Sequence, residues 1–576
     1  MPAHLCNRPS QEEVDKTFAR HAGQGYPEQT VMNKDKYILA IDLGTSGPKT
    51  ALISVYGEVA CSEFEAVPVI LLPGGGAEQD PGLWWQAIVS TAGRVLAKGP
   101  ASPDDILAVS VTTQWSGTVP VDRDGNNLMN AIIWMDCRGC EALQDILKGF
   151  PRLEGYPLWK AMTWLRFTGG APALSGKDPL AHILWLKKEC FQVFERTYKF
   201  LEPKDYINLR LTGKFAATHD SILLHWVTDN RDPSRVVYHD KLLKMAGLKR
   251  DKLPDLIRAV DVLGPVKDEV AEELGLRPGT PVIGGTPDVH SACVGSGAVR
   301  DYEGHLYIGT SSWISAHVPF KKTDLFHSFG SFPSPLPGRY LILDEQECAG
   351  KCLTWLKDNV LYHKDELIQE ENAPDIFKFL DRIVSRVPAG AGGVIFTPWL
   401  YGERTPVEDC HIRSSLFNLS LQNTREDIAR AVFEGVAFNQ KWLLQSVERF
   451  MGRRFQYLNF IGGGANSDVW SQILADVLDR PIRQVTDPVH ANARGAAFLA
   501  SIALGRITAE DIPRHIRIKR EYLPDPGNRK VYDEIFTEFL HLYHAHRKIC
   551  ARMNRKAPPV CSVPDLTTTT KQEVGD

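Results

Sequence analysis

Two stretches of the chain, one early in each half, show the same alternation of short apolar runs and turns. In the first, an apolar run at 37–41 leads through a glycine-containing segment at 42–47 into a β-rich run at 50–56. A helical pattern at 84–96 and another apolar run at 106–112 follow. Because short apolar runs bounded by turn residues are typical of strands, this stretch predicts a strand meander, a helix and a further strand.

The second stretch repeats this arrangement. The run at 306–308 leads into Gly-Thr-Ser-Ser at 309–312 and then into a β-rich run at 313–318. Ile-Gly-Thr-Ser at 308–311 echoes Leu-Gly-Thr-Ser at 43–46, and both copies lie between two predicted strands. Four letters can repeat by chance, but their repetition at equivalent positions predicts an internal duplication.

Two more predicted strands end in glycine. The strand at 457–461 runs into three glycines and Ala-Asn-Ser at 462–467, and a helix is predicted from there to Leu478. The strand that starts at Pro281 ends in Gly-Gly-Thr-Pro-Asp at 284–288, and small residues follow. Such junctions let a ligand approach the backbone closely, and a helix start favours anionic groups.

Composition narrows the class of protein. The chain has 576 residues, and its 66 Lys and Arg nearly balance its 70 Asp and Glu, for a formal charge of −4. That balance gives no support for a nucleic-acid-binding or membrane-surface protein. No apolar run reaches the roughly 18 residues of a membrane span, no signal-peptide core is visible, and the 11 cysteines are scattered. We therefore expect a cytoplasmic protein with reduced thiols.

The segment after the first strand has the residue types that phosphoryl transfer needs. That reaction requires backbone N–H groups against the nucleotide phosphates, a cation to offset charge, and a carboxylate to orient or deprotonate the attacking hydroxyl. Asp42 could hold Mg²⁺ through water, while Gly44, Thr45 and Gly47 offer N–H and hydroxyl donors. A plain hairpin turn with a solvated aspartate is the alternative.

Asp288 is the second candidate carboxylate. It lies between a glycine-ended strand and a helix, near the junction of the two halves. On these grounds it is either a helix cap or a catalytic base that faces a cleft. The chain contains no GxGxxG, no GxxxxGKS or GxxxxGKT, and no GxSxG, so Rossmann, P-loop and serine-hydrolase assignments have no support.

Taken together, these segments resemble the FGGY family of carbohydrate kinases, most of all its xylulokinase-like members. The resemblance covers roughly residues 37–545, and 42–47 are similar to the family's first phosphate loop. His182 stands where the family usually has Lys. The other similar blocks keep the family's order and lie at 79–81, 84–85, 179–189, 402–406, 430–438, 462–467, 475–478 and 495–497.

The resemblance implies an α/β fold with duplicated ribonuclease-H-like domains, as in the actin/Hsp70-like ATPases, and a cleft between them. It divides the chain into an N-terminal kinase domain at 36–284 and a C-terminal kinase domain at 285–550. Residues 1–35 are expected to form a flexible extension, and residues 551–576 a disordered tail.

The resemblance also implies roles for single residues. Asp288 is expected to be the general base, and Asp42 a catalytic carboxylate beside Mg²⁺, which both would hold through water. The cofactors are then ATP and Mg²⁺, the partner is a small sugar or polyol, and a homodimer is left open. The residues expected to contact ATP are Gly44, Thr45, Ser46, Gly309, Thr310, Ser311, Gly463, Gly464 and Asn466.

The substrate segment departs from the family pattern. Residues 114–117 read Gln-Trp-Ser-Gly where xylulokinases usually carry Gln-Met-His-Gly. Xylulokinases also commonly carry Asn after the catalytic aspartate, whereas Val-His follows Asp288 in this chain. Trp115 could pack against the C–H side of a sugar or could be a core residue. Because one changed polar partner alters substrate choice strongly, D-xylulose is the expected ketopentose acceptor, with other ketoses and polyols as alternatives. The residues expected to contact the substrate are Gln114, Trp115, Ser116, Asp288 and His290.

Two other functions fit the same fold. One is an actin- or Hsp70-like ATPase that couples nucleotide to protein binding, and the other is a catalytically silent sugar sensor. The sugar-side blocks disfavour the ATPase, and the presence of Asp42 and Asp288 disfavours the sensor.

Overall fold

The structure is a computed structural model that describes residues 36–153, 155–325, 327–361 and 376–554. The expected extension at 1–35 and residues 555–576 of the expected tail lie outside the described residues. Within the described part of the chain, no helix combines the length and the apolar character that crossing a membrane requires.

The first of two large sheets has six strands. Its central strand pairs antiparallel with a hairpin partner on one side and parallel with a later strand on the other, and that later strand pairs parallel with a further one. An antiparallel edge strand closes each side. In spatial order the strands are Val262–Pro265, Pro281–Pro287, Ile106–Thr113, Tyr37–Gly44, Gly47–Ser54 and Val59–Phe64.

The second large sheet has eight strands and repeats this pattern. Its hairpin and its two parallel strands follow in the same order, again with an antiparallel strand beyond them. In spatial order the strands are Thr323–Asp324, Phe329–Pro333, Tyr340–Leu343, Ser312–Val318, Gly304–Ile308, Leu458–Ile461, Ile482–Val485 and Ile518–Tyr522. The two Gly-Thr-Ser segments are the turns of equivalent hairpins, so the predicted duplication is confirmed.

Smaller sheets and the helices surround these two layers. One sheet has three strands, Ile70–Leu72, Gly76–Gln79 and Ala131–Ile132. The two-stranded sheets pair Arg152–Leu153 with Tyr156–Pro157, Val119–Val121 with Lys199–Leu201, Ala216–Thr218 with Asp255–Ile257, Thr228–Asp229 with Val237–Tyr238, and Ile395–Thr397 with Ser415–Phe417. The α-helices are Pro81–Lys98, Gly139–Ile146, Leu158–Phe167, Pro179–Glu189, Phe191–Arg196, Pro203–Thr212, Asp240–Ala246, Asp268–Leu274, Asp288–Ser296, Gly350–Leu356, Ile376–Val384, Arg425–Met451, Asp468–Leu478, Ala491–Ala503, Ile512–His515 and Arg529–Met553.

Local signals in the sequence explain where several helices begin. Thr424 and Asp427 form a capping box at the start of the helix Arg425–Met451, in which each side chain accepts a hydrogen bond from the other residue's backbone. Asp80 caps the helix Pro81–Lys98 by accepting the Gly82 N–H at 2.7 Å, with proline at the first helical position.

Two helices, Asp288–Ser296 and Ala491–Ala503, join the halves, and we call them the crossing helices. Each follows the second parallel strand of its own half, and the second of them packs on the first sheet. They meet so closely that a Cβ on Gly295 would collide with the Ala491 carbonyl, and one on Gly495 with the Ser291 carbonyl. Glycine at both points therefore sets how near the two halves approach.

The division expected at residue 284 falls inside the strand Pro281–Pro287, which belongs to the first sheet over its whole length. The first crossing helix begins at the next residue, Asp288. The last helix ends at Met553.

Candidate active site

A cavity of about 1750 Å³ lies where the two halves meet. Its wall includes the hairpin turns of both sheets and the glycine turn after Leu458–Ile461. It also includes the start of the first crossing helix and Asn492 from the second. The topology thus brings together, in one cavity, segments that lie more than 400 residues apart in the chain.

Asp42 and Asp288 both lie in the wall of this cavity. Asp42 is near the end of the central strand of the first sheet, and Asp288 follows the end of a strand two positions away in the same sheet. The Val289 N–H donates to Asp288 Oδ1 at 2.8 Å. The strand ends therefore aim two carboxylates into the same space.

Burial raises the proton affinity of both carboxylates. Burial raises the pKa of Asp288 to about 8, and the negative charge of Asp42 adds to the rise. Burial also raises the pKa of Asp42, although the Lys49 charge and a hydrogen bond from the Asn492 side chain act against it. Titratable groups shifted in this way inside a cleft are typical of an active site or a cation site.

The first hairpin turn is held by a network of side chains. Trp134 Nε1 donates to Thr45 Oγ1 at 2.9 Å, and Thr45 Oγ1 donates to Gln114 Oε1 at 3.2 Å. Gln79 Nε2 donates to the Thr45 carbonyl at 2.8 Å, and Gln114 Nε2 donates to Gln79 Oε1 at 2.7 Å. Gly44, Thr45 and Ser46 all line the cavity, so the network fixes a turn whose backbone faces it.

In the second hairpin turn, Thr310 and Ser311 line the cavity, whereas Gly309 does not. The Gly309 N–H donates to the Ser311 carbonyl at 2.9 Å, and the Gly309 carbonyl accepts the Gly350 N–H at 2.9 Å. These bonds tie the turn to the start of the helix Gly350–Leu356.

In the glycine turn, Gly463 lines the cavity, while Gly464 and Asn466 do not. All three belong to the short 3₁₀ helix Gly463–Asn466, in which Asn466 is exposed. A Cβ on Gly464 would collide with Ile308. This glycine therefore permits close packing against the neighbouring strand.

Besides Asp288, three of the expected substrate residues line the cavity: Gln114, Trp115 and Ser116. Both polar atoms of the Gln114 amide are used in the network described above, and Ser116 Oγ donates to the Lys177 carbonyl at 2.8 Å. Trp115 Nε1 donates to the Ser221 carbonyl at 3.0 Å. The indole of Trp115 is thus anchored by its polar edge while part of the side chain remains accessible from the cavity.

His290 lies outside the cavity wall and is fully buried. Its ring centroid is 5.0 Å from that of Trp115, in an edge-on arrangement. Burial lowers the pKa of His290 to about 4, so the ring is neutral at pH 7. The structure therefore places His290 behind Trp115, as part of the support for that indole.

The sequence did not single out several polar residues that also line the cavity. Lys49 is the direct cross-strand neighbour of Asp42, and its Nζ donates to the Val489 carbonyl at 2.9 Å. Arg404, from the block at 402–406, pairs with Glu345 and lies 2.8 Å from Glu347. The remaining ones are Trp134, Lys177, Asp178, Asp344, Glu345, Lys351, Glu408 and Asn492. Position relative to a strand end or a family block could have indicated Lys49 and Arg404. Lys351 and Asn492 lie at the starts of helices, and loops bring in the others.

The donor set around Asp42 and Asp288 fits Mg²⁺. Among the described residues, Asp42 Oδ1 is buried without a hydrogen-bond partner, and no group of three or more His, Cys, Asp and Glu side chains could enclose a metal. Mg²⁺ is usually bound by one or two carboxylates together with phosphate oxygens and waters. Asp42 and Asp288, which lie beside loops suited to phosphates, would provide this kind of coordination.

Comparison with known proteins agrees with this geometry. The family model described as the FGGY family of carbohydrate kinases, N-terminal domain, matches residues 37–295, and the model for the C-terminal domain matches residues 305–504. Xylulose kinase of Escherichia coli K12 is 30% identical over 515 residues, covering 88% of this chain and 98% of that protein.

Solved structures give the same result. The ligand-bound xylulose kinase from Lactobacillus acidophilus has a TM-score of 0.78 at 25% identity, covering 90% of this chain and 100% of that one. The gluconate kinase from the same organism has a TM-score of 0.78 at 26% identity, covering 90% and 99%. The expected fold, two domains of the actin/Hsp70-like ATPase class, is confirmed.

Proposed function

The chain belongs to the FGGY family of carbohydrate kinases, a phosphotransferase family that uses ATP, and we propose that it phosphorylates a hydroxyl of a ketopentose such as D-xylulose. The observation that carries this proposal is the position of Asp288 beside Asp42, in one cavity with the hairpin turns of both halves.

We assign the general-base role to Asp288. Its carboxylate would take the proton of the acceptor hydroxyl while that oxygen bonds to the γ-phosphorus and the bond from phosphorus to the β,γ-bridging oxygen breaks. A pKa near 8 suits a group that must gain a proton near neutral pH and later release it.

We assign nucleotide binding to both hairpin turns and the glycine turn. Thr45, Thr310 and Gly463 bring backbone and hydroxyl donors to the cavity from three elements, and such donors suit phosphate oxygens. Lys49 adds a positive charge next to the first turn. The roles of the other expected nucleotide residues, including Gly309, Gly464 and Asn466, remain predictions.

Asp42 and Asp288 are the residues that would hold Mg²⁺, with the Asn492 side chain supporting Asp42. When bound, Mg²⁺ would offset the negative charge of the phosphate oxygens and of the two carboxylates.

We assign the acceptor to the part of the cavity lined by Trp115 and Ser116. Trp115 is held by its Nε1 hydrogen bond, so its apolar surface is a rigid platform for the C–H side of a sugar. The xylulose kinases among the relatives support a ketopentose as the acceptor. A gluconate kinase has the same fold, so the fold alone does not determine the acceptor.

A coupled ADP-release assay over pentuloses, hexuloses and polyols tests this function. We expect ADP formation that depends on a ketopentose and on Mg²⁺. ATP hydrolysis that is unchanged by every sugar would favour an actin-like ATPase, and sugar binding without ADP formation would favour a silent sensor. The domain limits at 36–284 and 285–550 and the cytoplasmic location also remain proposals.

A further inference from the structure

The buried carboxylate of Asp178 lies in the cavity wall. The residue is 6% exposed. Trp226 Nε1 and the Ala173 N–H both donate to Oδ2, at 2.6 and 2.7 Å. Among the described residues, Oδ1 receives no hydrogen bond, so the two donors fix the carboxylate and leave one oxygen with its acceptor sites unused.

Asp178 adjoins the segment that would hold the acceptor. Ser116 Oγ donates to the carbonyl of Lys177, the residue before Asp178. The strand that leads to Trp115 lies parallel to the one that leads to Asp288, with Thr113 opposite Pro287. Asp178 therefore borders the compartment of Trp115 and Ser116, next to the proposed base.

The neighbouring cations form their ion pairs with other acids, although the positive charge of Arg404 also acts on Asp178 and opposes the rise that burial causes in its pKa. Arg404 pairs with Glu345 and Glu347, and Lys177 Nζ lies 4.0 Å from Glu347. The charge of Lys351 also acts on Glu347. Asp178 is instead held by two neutral donors, so this part of the wall offers a ligand a hydrogen-bond acceptor.

We propose that Asp178 binds hydroxyl groups of the acceptor and selects a neutral polyhydroxy compound against a sugar acid. This inference rests on the proposed kinase function and specifies the class of its substrate. A hydroxyl can donate to Oδ1, and a charge-assisted bond of this kind is stronger than a neutral one. A carboxylate on the ligand would meet a like charge in a desolvated site, which opposes binding.

The wild-type enzyme should show this selectivity. With MgATP, we expect kcat/KM for D-xylulose or another neutral ketose to exceed that for D-gluconate by about 100-fold or more, since juxtaposed like charges cost several kcal/mol. A kcat/KM for gluconate within about tenfold of the best neutral ketose would overturn the inference while leaving the kinase function intact.

Asp178→Asn removes the acceptor and the charge with little change in shape. The amide oxygen can still accept from Trp226 and Ala173, but an NH₂ group replaces Oδ1. We expect KM and the calorimetric Kd for the neutral ketose to rise about 10- to 100-fold, as expected for loss of a hydrogen bond to a charged group. The KM for ATP should stay unchanged, and the ratio of ketose to gluconate activity should fall.

Asp251→Asn is the matched control, because Asp251 is exposed and remote from the cavity wall. An Asp178→Asn enzyme with wild-type KM and Kd for the ketose would overturn the inference. If that variant does not fold, as judged by its melting curve, the ratio of kcat/KM for the neutral ketose to that for D-gluconate in the wild type tests the inference. If the wild type forms no ADP with any acceptor, the kinase proposal fails, and calorimetry of ketose binding to both proteins still tests Asp178.

Discussion

At the scale of single residues, the reactivity of the site depends on where a carboxylate sits relative to charge and solvent. Asp288 and Asp268 occupy the same position, the first residue of a helix. Asp268 is exposed, whereas Asp288 borders the cavity beside Asp42. The same residue at the same helical position is therefore expected to have a chemical role at one site only.

Asp288→Asn should lower kcat by about 10²- to 10⁴-fold, the usual contribution of a general base. The Kd for ATP should change little, because we assign the phosphate contacts to the two hairpin turns and the glycine turn. Steady-state kinetics with the best acceptor and nucleotide titration measure the two effects. Asp268→Asn serves as the control, and a kcat near that of wild type in Asp288→Asn would remove this residue from the base role.

Asn492→Ala should raise the Mg²⁺ concentration that the enzyme requires. The substitution removes the hydrogen bond that opposes the raised pKa of Asp42, while the Asn492 carbonyl that accepts from Ser291 Oγ remains. We expect the Mg²⁺ concentration for half-maximal activity to rise roughly tenfold, with the sugar KM unchanged. A shift in sugar KM alone would show that Asn492 acts elsewhere.

The sequence identified the two carboxylates because both lie close to strand ends, where a sheet presents its loops. It could not place His290 correctly on its helix. A residue two positions after Asp288 lies about 200° around a helix, so His290 is directed away from the cavity that Asp288 borders. Asp178 and Trp226 escaped notice because their hydrogen bond joins two loops 48 residues apart.

At the scale of elements, the crossing helices determine where Asp288 lies. Four repeated residues were enough to indicate the duplication, because the residues that form a turn are adjacent in the sequence. The packing of the second crossing helix on the first sheet was not visible, because amphipathicity shows which face of a helix is buried and not which sheet covers it. Gly295 and Gly495 mark the contact only once the fold is known.

Gly295→Ala should destabilise the protein and lower its activity. A methyl group there would collide with the Ala491 carbonyl, and overpacking typically costs about 1–3 kcal/mol. We expect a lower thermal midpoint by calorimetry and a lower kcat, because the same helix begins with Asp288.

Gly93→Ala is the matched control, since it also lies inside a helix and nothing lies within 4 Å of the added Cβ. Alanine there should raise stability by roughly 0.5–1 kcal/mol through helix propensity. Equal thermal midpoints for the Gly295→Ala and Gly93→Ala proteins would contradict the close contact between the crossing helices.

At the scale of the whole molecule, the two halves bring acidic groups together in and around one cleft. Burial of these groups makes the stability of the folded protein depend on pH. Burial raises the pKa of Asp288 and of Glu403 to about 8 each. In the unfolded chain both groups ionise near pH 4. Between those values the native protein binds more protons than the unfolded chain, so stability falls as pH rises.

The thermal midpoint of the ligand-free protein should therefore fall between about pH 7 and 8. The buried histidines act in the opposite sense, because burial lowers their pKa, for His182 and His290 to about 4. In the unfolded chain these rings lose their proton around pH 6.5, so their opposing contribution fades above about pH 7. Glu403→Gln should flatten the fall, since the amide cannot ionise. Its one oxygen can accept either from Asn439 Nδ2 or from the backbone N–H groups of Glu347 and Arg404, and the lost bonds lower stability alike at every pH. Scanning calorimetry of both proteins across this range measures the two slopes, and equal slopes would mean that Glu403 is already ionised in the folded protein at neutral pH.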